Sequence, residues 1–195
     1  MSSLPIEDVL PTLRRTLTEG RNALLTAAPG AGKTTRVPLA LLDAPWLDGK
    51  RLLMLEPRRL AARAAAHRMA TTLGESVGQT VGYRMRLDTK VGPKTRIEVV
   101  TEGILSRLLQ QDPSLSAYAI VLFDEFHERS LQADTGLALC LESQRLFRPD
   151  LRLLVMSATL DCGPVADLLG HAPVIASEGR MFPVETRYLE QPLSG

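Results

Sequence analysis

Ala27-Ala-Pro-Gly-Ala-Gly-Lys-Thr34 stands between a short apolar run, Asn22-Ala-Leu-Leu-Thr-Ala27, and a helical pattern from about Lys33 to Leu42. An apolar strand, a glycine-rich turn and a helix in that order make a loop suited to wrapping an anion. The glycines let the backbone approach closely, so successive N–H groups and the helix N-terminus point at phosphate oxygens. Lys33 adds a point charge where the outer phosphates of a nucleotide would lie. The Thr34 hydroxyl is a hard oxygen ligand suited to Mg²⁺. The expected phosphate-contacting residues are Gly30, Ala31, Gly32, Lys33, Thr34 and Thr35. The usual pattern begins with glycine and this chain has Ala27 there, but the core Gly30-Ala-Gly-Lys-Thr34 is intact.

The same alternation continues on both sides. Upstream, Ile6, Leu10, Leu13 and Leu17 fall on one face of a helix that Gly20 stops. Downstream, strands are expected at 51–56, 80–85, 95–100, 118–123, 151–156, 173–176 and 184–188. Between them, helices are expected from Pro57 to Gly74, with Leu60, Ala64, Met69 and Leu73 inward, and over 102–110, 131–147 and 165–169. A polar loop covers 88–94. This pattern predicts an α/β fold with a mostly parallel sheet and helices on both faces, its ligand site at the carboxyl ends of the strands. A length of 195 residues suits one well-cored domain.

Hydrophobic residues make up 45% of the chain and charged residues 23%, an ordinary globular composition. Net charge is +1, so no global basic field announces nucleic acid. Of 23 basic residues only Lys33, Lys50, Lys90 and Lys94 are lysine; the rest are arginine, whose planar fork suits phosphate. Cys140 and Cys162 lack metal-ligand spacing and do not form a disulfide framework. The N-terminus has no signal pattern, and no apolar run approaches the ~20 residues of a membrane span. These features predict a cytoplasmic protein with no membrane partner.

Ala119-Ile-Val-Leu-Phe-Asp-Glu125 is an apolar strand ending in two carboxylates. Beside a phosphate loop, such a strand would bring Asp124 to Mg²⁺ through water. Glu125, one residue on, would orient and activate the attacking water. Thr34, Asp124 and Glu125 are therefore the expected metal-side groups.

Four further segments give the nucleotide site a purpose. Glu56-Pro-Arg-Arg-Leu-Ala-Ala62, Thr101-Glu-Gly-Ile-Leu105, Asp124-Glu-Phe-His-Glu-Arg-Ser130 and Ser157-Ala-Thr159 occur in that order. As an ordered set they resemble the first half of the DEAH-box helicases of superfamily 2. Gly82-Tyr-Arg-Met-Arg86, the same Asp124–Ser130 segment and Ser177-Glu-Gly-Arg-Met-Phe-Pro-Val184 look closest to the bacterial HrpB type. The resemblance spans residues 4 to 190 or so. Phe126 stands where the family's namesake motif has alanine, and a side chain there would pack beneath the site.

The resemblance implies a RecA-like P-loop domain that binds ATP and Mg²⁺, with Lys33, Asp124, Glu125 and His127 as catalytic residues. His127, Ser157 and Thr159 would couple the nucleotide state to domain closure. Arg58, Arg59, Thr101 and Gly103 would grip the backbone of a single strand, with Arg84 and Arg86 near that track. Arg68 would stack on the nucleotide base. Residues 1–183 would form the first RecA-like domain, and residues 184–195, reached through Gly179-Arg-Met-Phe-Pro183, the start of a connector to a second such domain. Without that domain's arginine fingers turnover would be very slow. The family favours RNA, but backbone-gripping arginines read phosphate on RNA and DNA alike. Two rival readings share the phosphate loop: a P-loop ATPase serving transport or switching, and a binding module that uses ATP only to shape an interface. The arginine pair and the Ser-Ala-Thr segment weigh against the first, and Glu125 against the second.

Overall fold

The structure, a computed structural model, describes residues 4–159 and 162–177. In chain order, a 3₁₀ turn at Pro5–Asp8 leads into α1 (Leu10–Glu19), β1 (Asn22–Ala27), α2 (Lys33–Ala40), β2 (Arg51–Glu56) and α3 (Arg59–Thr72). A β-rich stretch follows: β3 (Val81–Met85), β4 (Asp88–Lys90) and β5 (Ile97–Thr101). Then come α4 (Glu102–Gln111), β6 (Tyr118–Phe123), α5 (Leu131–Leu146), β7 (Arg152–Ser157), α6 (Gly163–Leu168) and β8 (Val174–Ser177). The eight strands form one sheet in the order β4-β3-β5-β2-β6-β7-β1-β8. Every pairing is parallel except β3 with β4.

The central strands are buried on both faces, as parallel strands flanked by helices must be. In β6 all six residues are buried. Successive residues point to opposite sides of the sheet and so join two separate cores. Leu52 and Met54 of β2 and Ile120 and Leu122 of β6 face the core lined by α1, α2 and α3. Leu53, Leu55, Val121 and Phe123 face the core lined by α4, α5 and α6. That alternation puts Glu56, the last residue of β2, and Asp124, just past β6, on the α2 side.

The structure agrees with the expected α/β sheet and departs from the sequence reading in three places, the first being Ile6, which lies in the 3₁₀ turn ahead of α1 and not on its face. The polar loop at 88–94 contains β4, which folds back antiparallel on β3 with Tyr83 opposite Lys90. In α3 the buried residues are Ala62, Ala65, Ala66, Met69 and Ala70, while Leu60 is 81% exposed and Ala64 is exposed. The helix lays its methyl groups on the sheet and turns its first leucine outward. A periodicity weighted by large side chains therefore points to the wrong face. The expected strand at 184–188 and the segment after Ser177 lie outside the described residues.

Candidate functional site

Parallel strands align their carboxyl ends, so the turns that follow them form one row. Read across the sheet, the row carries Arg84 and Arg86 at β3, Thr101 at β5, Arg58 after β2, Asp124 after β6, Ser157 at β7 and the glycine-rich turn after β1. Residues scattered through the chain thereby become neighbours. The candidate nucleotide groups collect on β6, β7 and β1, and the candidate strand groups on β3, β5 and β2.

At the nucleotide end the turn needs its glycines. Gly30 and Gly32 have φ of 79° and 95°, and Gly32 is the residue from which α2 starts. A Cβ on Gly32 would also come within 2.7 Å of Leu4 Cδ1. With α2 so launched, Lys33 is buried and its Nζ donates to Glu125 Oε1 at 2.7 Å. The Thr34 hydroxyl donates to Asp124 Oδ2 at 2.5 Å. Asp124 is held in turn by its backbone N–H to Leu55 O, 3.0 Å, and by its Oδ1, which accepts from Glu125 N at 2.8 Å. Thr35 is buried one residue further along α2, and Ala31 N donates to Ala28 O at 3.1 Å within the turn.

Glu125 has φ 50°, an unusual backbone for a non-glycine residue, and its carboxylate reaches two partners. Besides Lys33 it contacts His127 Nε2, 3.3 Å from Oε2. His127 Nδ1 accepts from the backbone N–H of Ala158 at 3.1 Å. A ring nitrogen that accepts carries no proton, so the proton of neutral His127 lies on Nε2, facing Glu125. One imidazole thus bridges the carboxylate pair and the Ser157-Ala-Thr159 turn. In that turn Ser157 Oγ accepts from Thr159 N at 3.2 Å, and the two hydroxyl oxygens lie 3.2 Å apart. Phe126 turns inward and packs edge-on against Phe123, centroids 6.1 Å apart.

Sequence reasoning gave Glu56 no chemical role of its own. It is 1% exposed, and its Oε1 has no hydrogen-bond partner. Burial first, then Asp124 and Glu125, push its carboxyl up to about 9, so at neutral pH it is an uncharged acid. Burial raises Asp124 as well, while hydrogen bonds from Thr34 and Glu56 pull the other way.

The strand end is built on the surface. Arg58 precedes α3, 72% exposed, with its Nη2 3.0 Å from Glu128 Oε2. Arg59 Nη2 donates to Arg86 O at 3.1 Å. The Thr101 side chain makes no capping hydrogen bond to α4, and a Cβ on Gly103 would meet nothing within 4 Å. A groove of about 510 Å³ runs between the β3–β4 hairpin and α4, lined by Arg84, Arg86, Leu87, Thr101, Gly103 and Arg107. Arg107 was missed from sequence, although it lies four residues beyond Gly103 on the same helical face. Arg84 stands apart from the other arginines, because its Nε donates to the fully buried Glu98 Oε1 at 2.8 Å. Glu98 also holds Arg51 at 3.2 Å and accepts from the Tyr118 hydroxyl at 3.1 Å. Arg68 is exposed on α3, which packs beside α2.

Among the described residues no helix is long and apolar enough to cross a membrane. No group of three His, Cys, Asp or Glu side chains among them makes a metal cage. Mg²⁺ bound with a nucleotide needs none, because it takes one or two protein oxygens and fills its shell with phosphate and water.

A family model described as DEAD/DEAH box helicase matches residues 9–168. The chain is 57% identical over 192 residues to a protein of Escherichia coli (strain K12) named ATP-dependent RNA helicase HrpB, covering 98% of this chain and 24% of that one. It superposes with a TM-score of 0.89 and 55% identity on a crystal structure described as E. coli DExH-box NTPase HrpB, over 100% of this chain and 24% of that one. A second crystal structure, described as Escherichia coli DEAH/RHA helicase HrpB, gives a TM-score of 0.90 over 98% of this chain. The chain spans about a quarter of the length of these relatives.

Proposed function

The chain belongs to the DEAD/DEAH box helicases, and from that premise we propose that it is the first RecA-like motor domain of an ATP-dependent RNA helicase. In this reading residues 1–183 form the domain and residues 184–195 begin a connector to a second one. The observation that carries it is the contact set of Glu125. That carboxylate touches the phosphate-loop lysine on one side and, through His127, the Ser157-Ala-Thr159 turn on the other. A group placed to orient a water is thus tied to a segment that would feel the second domain.

The residues fit Mg-ATP. The Thr34 hydroxyl and the Asp124 carboxylate, already in contact, are the hard oxygen donors that Mg²⁺ prefers. Lys33 is a buried cation beside a left-handed glycine turn. When bound, Mg²⁺ would be held by Thr34 and Asp124 and would neutralise charge that develops on the transferred group. The chain's own part is positional. Lys33 would exchange Glu125 for a phosphate oxygen, freeing Glu125 to accept the proton of an attacking water. The Nε2–H of His127 keeps that carboxylate aimed. Arg68 would stack on the base. Arg58, Arg59, Arg86, Thr101 and Gly103 would hold the strand backbone, and we add Arg107 to that set. Arg84 belongs to the wall of the track through Glu98 more than to its floor. Residues that grip phosphate and no base edge suit a cytoplasmic motor that moves along many sequences.

The deciding experiment measures ATP turnover of this chain, and of a protein that also carries the second domain, with and without single-stranded RNA. Single-stranded DNA runs in parallel, and Glu125→Gln serves as control. RNA-stimulated turnover in the two-domain protein, near-silence in this chain and a dead control support the reading. The expected silence rests on an arginine finger that the second domain would supply, worth ~10³–10⁵ in rate in related chemistry. Turnover indifferent to RNA in both proteins would favour the P-loop switch, and equal stimulation by DNA would remove the preference for RNA.

A further inference from the structure

The loop from Glu125 to Ser130 is fastened at one end to the nucleotide groups and at the other to two turns of the strand track. At the near end are the Lys33 and Ala158 contacts of Glu125 and His127. At the far end, Arg58 Nε and Nη2 lie 3.1 and 3.0 Å from Glu128 Oε2, and Ser130 Oγ donates to Glu102 Oε1 at 2.5 Å. Glu102 opens α4 directly after Thr101, and Arg58 stands directly before α3. The loop itself is tightly turned: Glu125 and Arg129 have φ of 50° and 42°, and Glu128 N donates to Glu125 O at 2.9 Å. A shift at Glu128 therefore acts on the backbone of the residue that would orient the water.

Glu128 offers Arg58 a carboxylate oxygen, the same kind of partner as a strand phosphate. A guanidinium edge that binds one is withdrawn from the other. Building on the strand-binding reading above, we propose that Glu128 is a positioning residue that holds Arg58 in the strand-free protein. It yields Arg58 to a phosphate of the strand, and this exchange reports strand binding to Glu125. The device is graded because the pair is largely exposed; such pairs are weak enough to be exchanged readily.

The test uses this chain and a fluorescently labelled ten-nucleotide oligouridylate, with affinity read by anisotropy for wild type, Glu128→Gln, Arg58→Gln and the double variant. Glu128→Gln is expected to tighten binding about threefold, the scale of an exposed ion pair. In the Arg58→Gln background it should change nothing, because the competitor has lost its target. A second readout is the factor by which the oligonucleotide changes affinity for a fluorescent ATP analogue, which Glu128→Gln should bring toward one. Equal tightening with and without Arg58 would mean that only a general negative charge had been removed, and would overturn the proposal. So would unchanged affinity, or an unchanged coupling factor. If the wild type binds no oligonucleotide, the strand-binding reading itself fails and this inference falls with it.

Discussion

The two ends of the row of strand termini are built on opposite plans. At the proposed nucleotide end the charged groups are buried or half-buried and satisfied by neighbours: Lys33 by Glu125, Asp124 by Thr34, Glu125 by His127. At the proposed strand end the cations are exposed and rest on partners at the surface, Arg58 on Glu128 and Arg59 on the Arg86 carbonyl. The difference teaches how each end handles desolvation. Buried groups already in place need little reorganisation when charge develops, which suits chemistry. Exposed pairs are weak and salt-sensitive, which suits a grip that must be released and retaken.

The largest expected effect tests whether the two ends separate. In a protein carrying both domains, Glu125→Gln should lower ATP turnover by ~10²–10⁴-fold, the usual worth of a general base. Its affinity for single-stranded RNA without nucleotide should stay within a factor of about two; a fall as large as that in turnover would show that the ends are one site.

Arg86→Gln with Arg107→Gln should weaken RNA binding by about 2 kcal/mol, roughly thirtyfold. The slope of log affinity against log salt should shrink by ~0.7 for each phosphate that the variant no longer neutralises. Affinity for an ATP analogue, measured in the same samples, should not move. Arg84→Gln makes a sharp contrast, because it leaves the buried Glu98 short of a partner and should lower stability more than it lowers strand affinity.

Glu56 gives the proposed nucleotide end a pH signature. Its folded pKa, about 9, lies above the ordinary 4.5. The folded state therefore binds more protons than the unfolded one between those values. Stability from this group is fully present below pH 4.5 and is lost as pH rises through 9. The slope is at most ~1.4 kcal/mol per pH unit. Urea unfolding between about pH 6 and 8 should show that decline in the wild type and a flatter profile in Glu56→Gln; parallel profiles would mean that Glu56 is ionised. The smallest effect lies between the two ends. Ser130 caps α5 by accepting from Ala133 N at 2.9 Å while donating to Glu102. Ser130→Ala should cost about 1 kcal/mol of stability, read in the same urea titrations.

The contrast also explains what could be read from the residues alone. A site made of backbone conformation and buried polar groups leaves strong marks. Gly30-Ala-Gly-Lys-Thr34 between strand and helix has few other uses, and two carboxylates closing an apolar run, common alone, gain meaning beside it. Strand order, by contrast, is set by packing between distant segments, so the seating of β7 between β6 and β1 had no local signal. Arg84 looked like its neighbour Arg86 because nothing near it in sequence reveals Glu98 on the adjoining strand. Glu56 reads as the polar end of a strand, and its neutral state comes first from burial and then from Asp124, which β2 and β6 set beside it. The β4 hairpin had one overlooked mark in Gly82, where a Cβ would sit 2.4 Å from Lys90 O.

The alanine face of α3 has a consequence for how strand affinity could drift or be engineered. Ala62, Ala65, Ala66 and Ala70 act as spacers whose methyl groups set how near the helix lies to the sheet, and so where Arg58 and Arg59 stand at its start. Enlarging one to valine would lift the helix at a cost of ~1–3 kcal/mol and carry both arginines with it. Variants with altered grip need not be sought among the charged residues, because the calibration of that surface is kept in the interior, in side chains one carbon long.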